Sequence, residues 1–176
     1  MQESDLLSLI KSRHSCRAFS NQPVEDEKID QIIEAGILSP TGMNRQETIF
    51  LKIGDPILIE ELEKLNAAFT HNPTGHPFCG AKSLIVVLAG KSSNTRVYDG
   101  SIAMGYMMLE ASSLGLGSCW IHRAKEVFET EQGKAILKKA GIEGDYEGIG
   151  NLILGYEDPD KNSLHPKQGE GRIYSL

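Results

Sequence analysis

Apolar positions along the chain recur at helical spacing in some stretches and in unbroken runs in others, and the order of these rhythms predicts the elements. Leu6, Leu7 and Ile10 lie on one side of a short helix that Ser4 is placed to cap. From Arg13 to Phe19 the helical rhythm stops. After Pro23, the spacing of Ile29, Ile32, Ile33 and Ile37 predicts an amphipathic helix. Gly36 within it implies close packing, and Pro40 ends it. Thr48 to Ile53 is β-branched and apolar and reads as a strand. Asp55 caps a helix with Leu58, Leu62 and Leu65 on one face, and Thr70 to Gly80 is a loop rich in Pro, Gly and His. Ser83 to Ala89 is a continuous apolar run, the pattern of a central strand covered on both faces.

Asn94 to Leu114 is the longest helical pattern, and it has almost no polar face: Ile102, Ala103, Met104, Tyr106, Met107, Met108, Leu109, Ala111 and Leu114 surround it. A helix of this kind needs cover on all sides. A second subunit is the expected source, with Met104, Met107 and Met108 suited to an adaptable contact. Gly115-Leu116-Gly117 ends the helix, and Ser118 to His122 reads as a strand. Ala124 to Ala140 is a charged helical region expected to break at Gly133, and Gly148 to Tyr156 is the last strand. The tail from Glu157 is polar and irregular until Arg172 to Leu176. No repeat and no linker divides the sequence, so residues 1–176 are expected to form a single domain.

Composition adds exclusions. Of the 176 residues, 40% are apolar and 24% charged, as in ordinary globular chains. A net charge of −6 argues against a nucleic-acid partner, because phosphate binding needs an excess of Lys and Arg. The first ten residues carry two acids and no long apolar run, which predicts no signal peptide. No apolar stretch is long enough to span a bilayer, so no membrane partner is expected. Cys16, Cys79 and Cys119 show no CxxC spacing, which fits free thiols in a reducing compartment and a cytoplasmic protein.

The sequence has no GxSxG, no HExxH, no phosphate-binding P-loop and no GxGxxG after a strand. Three polar clusters remain. Arg13-His14-Ser15-Cys16-Arg17 holds two guanidiniums, whose planar forks suit a phosphomonoester, although spacing alone favours a solvated basic turn. Ser39 to Gln46 combines small residues with Asn44 and Gln46, which offer the donors and acceptors a flat heterocycle edge needs; taken alone it is a helix stop followed by a turn. Leu114 to His122 is a tight turn feeding an apolar strand, where Trp120 and Cys119 also suit plain core packing. His71, His76 and Cys79 share one loop and resemble a zinc set, but no fourth ligand is evident and no metal is expected.

These clusters occur in a particular order: Arg13/Ser15/Arg17/Phe19, then Ser39/Pro40/Asn44/Gln46, then Leu114 through Ile121, with Asp99-Gly100/Ala103 and Leu154-Gly155-Tyr156 as further landmarks. This succession resembles the FMN-dependent nitroreductase family over nearly the whole chain. The resemblance implies an α+β fold, a mostly antiparallel central sheet flanked by helices, built as an interlocked homodimer with two FMN sites in the interface. It implies that Arg13 and Arg17 hold the FMN phosphate, with His14 and Ser15 beside them and Lys167 or Arg172 completing the cluster. Pro40 and Thr41 would line the flavin from the other subunit, and Asn44 or Gln46 would reach the flavin or its ribityl chain. Cys119, Trp120, Ile121 and His122 would run along the isoalloxazine, with a backbone N–H near N5. The loop Thr70–Gly80 would overhang the flavin and shape the oxidant pocket through Phe69, His71, His76 and Phe78.

The implied activity is transfer of hydride from NADH or NADPH, a transient substrate, to a small oxidant such as a nitroaromatic or quinone by ping-pong exchange. No catalytic side chain is required, and His122 is the candidate proton donor. Alternatives on the same scaffold are dehalogenation, enone reduction, or flavin storage without turnover.

Overall fold

The computed structural model describes residues 4–158, 160, 161, 172, 174 and 175. Its elements are α1 (Asp5–Ser12), α2 (Asp26–Ile37), a 3-10 turn (Gly42–Asn44), β1 (Thr48–Ile53), α3 (Pro56–Ala67), β2 (Ser83–Gly90), α4 (Arg96–Ser113), β3 (Gly117–Ile121), α5 (Ala124–Glu129), α6 (Glu131–Lys139) and β4 (Tyr146–Gly155). The expected caps form. Ser4 accepts from the Leu7 N–H at 3.2 Å, and Asp55 accepts from the Ile57 N–H at 2.9 Å ahead of Pro56.

The sheet order is β1-β2-β4-β3, and every neighbouring pair is antiparallel. The two central strands explain the unbroken apolar runs. Leu84, Val86 and Leu88 of β2 face one layer, with α3, α5 and α6, while Ile85, Val87 and Ala89 face the other, with α2 and α4. Both faces are dry, so alternation is lost from the sequence. The α+β architecture is the one expected.

Three local expectations are corrected. The break in the charged helical region lies at Thr130, not Gly133. Thr130 ends α5 and caps α6, accepting from the Gly133 N–H at 3.0 Å. Gly133 lies inside α6, where any Cβ would collide with the Val127 carbonyl oxygen. Met104 and Met107 are fully buried within their own chain, so they are not surface contacts for a second subunit. The exposed apolar residues of α4 are Val97, Tyr98, Ile102 and Tyr106. Phe78 is buried too, and so is unable to stack on a ligand. No helix among the described residues is long and apolar enough to cross a membrane.

Candidate functional site

The basic segment leaves α1 and runs beside edge strand β3. Ser15 bridges Ser118 in parallel, and the Cys16 N–H donates to the Ser118 carbonyl at 2.9 Å. Cys16 lies buried beneath Gly117, where a Cβ would come within 2.7 Å of its Sγ. Burial pushes the Cys16 thiol up, which makes it a structural thiol and not a nucleophile. Further on, Phe19 bridges Glu157 and the Ser20 N–H reaches the Tyr156 carbonyl at 2.8 Å.

This backbone pairing leaves a hollow of about 260 Å³ lined by Ser12, Arg13, His14, Gly115 to Ser118 and Glu157, with Ser112 of α4 at its edge. His14 is held between Glu157 (3.2 Å) and the Ser12 carbonyl (3.1 Å). Among the described residues, no salt bridge or hydrogen bond engages the guanidinium of Arg13 or of Arg17. Arg17 lies outside the hollow. Its charge acts on Cys79, whose thiol burial pushes up and Arg17 partly pulls back down. Extended backbone therefore separates the two arginines, although they are close in sequence.

At the far end of β3 the side chains divide. Cys119 and Ile121 point into the α3/α5/α6 core and Trp120 packs toward α4, so Cys119 offers a ligand its backbone only. His122 is exposed. Its carbonyl accepts from Nδ2 of Asn66 at 2.7 Å and from Nδ2 of Asn151 at 3.4 Å. Both asparagines are buried. Asn66 Oδ1 is also buried and has no partner. The next residue, Arg123, adopts a left-handed φ of 75°, a conformation that costs roughly 1–2 kcal/mol outside glycine. Neither asparagine stands out from the sequence as a site residue. The available signal was a polar residue on an apolar stripe, since Asn66 continues the helical spacing of Ile59 and Leu62.

The third cluster lies elsewhere. Asp99, buried in the first turn of α4, accepts from the Gly42 N–H at 2.9 Å and from the Thr95 hydroxyl at 2.8 Å. Thr41 Oγ1 accepts from the Gln46 N–H at 3.1 Å, and Gln46 Nε2 donates to Asn44 Oδ1 at 3.0 Å. Met43, Asn44 and Gln46 all have φ near +55°, and Pro40, Met43, Asn44 and Gln46 are exposed. This turn leads into β1, the opposite edge of the sheet. Along α4, its anchor at Asp99 lies about 20 Å from Ser112 at the hollow, at 1.5 Å per residue. Within one chain, then, Arg13 to Arg17 and Cys119 to His122 come together along β3, and Pro40 to Gln46 does not join them.

Arg172 is exposed, and Lys167 lies outside the described residues. The loop Thr70–Gly80 is tied back onto α3: Glu63 accepts from the Phe78 N–H at 2.7 Å and pairs with His76 at 3.3 Å. Among the described residues, no group of three or more His, Cys, Asp or Glu is arranged to hold a metal. A larger apolar groove of about 510 Å³ between β1, α3 and α6 includes Leu51, Leu58 and Ile136, and none of the residues expected to bind the cofactor.

Comparison with known proteins bears on this geometry. The nitroreductase family pattern matches residues 10–156. A relative from Archaeoglobus fulgidus, provisionally named NADH dehydrogenase/NAD(P)H nitroreductase, is 30% identical over 164 residues, covering 90% of this chain and 88% of that protein. A nitroreductase from Desulfitobacterium hafniense solved with bound FMN is 25% identical with a TM-score of 0.85, covering 99% of this chain and 100% of that one. An FMN-bound nitroreductase from Bacteroides fragilis superposes with a TM-score of 0.90 at 24% identity over 99% of this chain and 100% of that one, which shows the shared fold. The chain belongs to the nitroreductase family.

Proposed function

We propose that this protein is an FMN-dependent oxidoreductase that takes hydride from NADH or NADPH and passes reducing equivalents to a small oxidant such as a nitroaromatic or quinone. The observation that carries the reading is the arrangement along β3. A hollow lined by Arg13 lies at one end, and the His122 peptide, its carbonyl held by buried asparagines, lies at the other. That is the layout for a long ligand with an anion at one tip and a heterocycle at the other. The residues fit FMN. The Arg13 guanidinium is available for a phosphate, Ser15 and His14 flank it, and Arg17 adds charge further along the strand.

When bound, the flavin would supply the hydride-accepting chemistry, and the protein would bind, orient and exclude water. The nicotinamide and the oxidant would use one face in turn, which accounts for the lack of a dinucleotide fingerprint. His122, exposed just past the strand, would be the candidate proton donor.

The site is incomplete in one chain, because the Pro40–Gln46 turn leads into β1, at the opposite edge of the sheet from β3. A homodimer packed through the exposed face of α4 would bring the partner's copy of that turn to the flavin. Three free thiols support work in a reducing compartment such as the cytoplasm.

The test has three parts: purification with cofactor identification by mass spectrometry, sedimentation equilibrium, and stopped-flow measurement of each half-reaction. The expected result is a yellow dimer holding FMN, reduced by NADH or NADPH and reoxidised by a nitroaromatic or quinone. A colourless protein that takes up no FMN overturns the reading. Bound FMN that no nicotinamide donor reduces would indicate storage.

A further inference from the structure

Asn66 and Asn151 come from different elements, α3 and β4, and both spend amide donors at the end of β3. Asn66 Nδ2 lies 2.7 Å from the His122 carbonyl, and Asn151 Nδ2 lies 3.4 Å from the carbonyls of both Ile121 and His122. Packing alone does not ask for this. Asn66 continues an apolar helix stripe, it is 1% exposed, and its Oδ1 is left without a partner. An apolar residue there would leave no orphan.

What the pair does hold is a peptide plane. In a planar trans peptide the N–H lies on the opposite side from the carbonyl, so fixing the His122 carbonyl fixes the direction of the Arg123 N–H, away from the asparagines. No backbone acceptor among the described residues takes that N–H. The left-handed Arg123 then carries the chain into α5, whose Val127 N–H donates to the Arg123 carbonyl at 3.1 Å. The His122–Arg123 plane is held at its carbonyl by two side-chain donors, the following plane is held by the Val127 N–H, and the Arg123 N–H is unspent among the described residues.

We infer that Asn66 and Asn151 are positioning residues that clamp the His122–Arg123 peptide, so that its N–H is presented ready-oriented to the flavin ring. This rests on the flavin reading above. A donor fixed before the ligand arrives needs no reorganisation to act, which is why it would be built from buried side chains instead of from a free turn.

The test is Asn66→Leu, similar in size and without a donor, reconstituted with FMN labelled with 15N at N5 and titrated separately with FMN and riboflavin. The N5 resonance is expected to move toward its position in FMN lacking that hydrogen bond. The Kd values for FMN and riboflavin are expected to rise together, about fivefold to tenfold, because the Arg123 N–H that loses its orientation meets the ring and not the phosphate. Asn151→Ala, at the longer distance, is expected to shift the same resonance in the same direction by less, and it carries the test if Asn66→Leu does not fold. An N5 resonance identical in wild type and variant overturns the inference, as does a loss of affinity for FMN alone. Wild-type protein that binds neither ligand overturns the flavin reading instead.

Discussion

The two ends of α4 hold two candidate half-sites built on opposite principles. At its N-terminal end, the Thr41–Gln46 turn is strained and fully tied down: three left-handed non-glycine residues are held by the buried Asp99 carboxylate and by hydrogen bonds within the turn. At its C-terminal end, the Arg13–Arg17 segment is extended backbone, anchored through Cys16 to Ser118, with neither guanidinium engaged among the described residues. One half-site stores conformational strain to hold shape, and the other keeps charge in reserve. Strain of this kind persists only where surrounding contacts over-determine it, and it gathers at sites that must meet a ligand or a partner. The difference teaches that the turn is prepared to be presented, and the basic strand to receive an anion.

The comparison breaks most severely if the half-sites can no longer be joined. Ile102→Arg puts a charge on the exposed apolar face of α4, where burial in an interface without a partner costs about 3–5 kcal/mol. The expected outcome is a folded monomer by sedimentation equilibrium that has lost bound FMN. A dimer that keeps its flavin would show that another face makes the contact. Next in size is Asp99→Ala, which removes the acceptor for the Gly42 N–H and the Thr95 hydroxyl. Hydrogen bonds to a charged group contribute about 1.5–3 kcal/mol, so denaturant unfolding should show a loss of that order. Riboflavin and FMN affinity should fall together as the turn loosens.

Arg13→Ala sharpens the contrast from the other end. It should cost about 1.5–3 kcal/mol in FMN binding with unfolding free energy nearly unchanged. Riboflavin, which has no phosphate, should bind variant and wild type alike. Unchanged FMN affinity would remove Arg13 from the phosphate site. The smallest effect is expected from Met43→Gly, which relieves a φ of 55° at an exposed side chain. Relief of left-handed strain offset by glycine's entropy should leave a gain of about 1 kcal/mol or less. Thermal unfolding would then rise by up to about 2–4 °C. No gain would mean that the turn is not strained.

Much of the fold was legible because covered faces leave periodic marks. Ser83–Ala89 reads as a two-sided strand because it is one, and the α2 isoleucines mark a single buried stripe. The break at Thr130 was misplaced because glycine in a helix suggests an end by its entropy, whereas Gly133 is there for a close approach to Val127. The methionines were misassigned because an all-round apolar helix does not say which side its own sheet covers.

The sequence by itself determined the element order, the two-faced central strands, the caps at Ser4 and Asp55, and the polar clusters that carry the family resemblance. All of these follow from local spacing and from residue chemistry within a few positions. Only the tertiary structure decided that Arg13 and Arg17 part company along β3, that Cys119 turns into the core, that Pro40–Gln46 sits about 20 Å of helix from the basic hollow, and that two unsuspected asparagines meet at His122. Those facts depend on which strands become neighbours and which face each side chain takes, and contacts between residues as distant as Asn66, His122 and Asn151 leave no periodic trace in the chain.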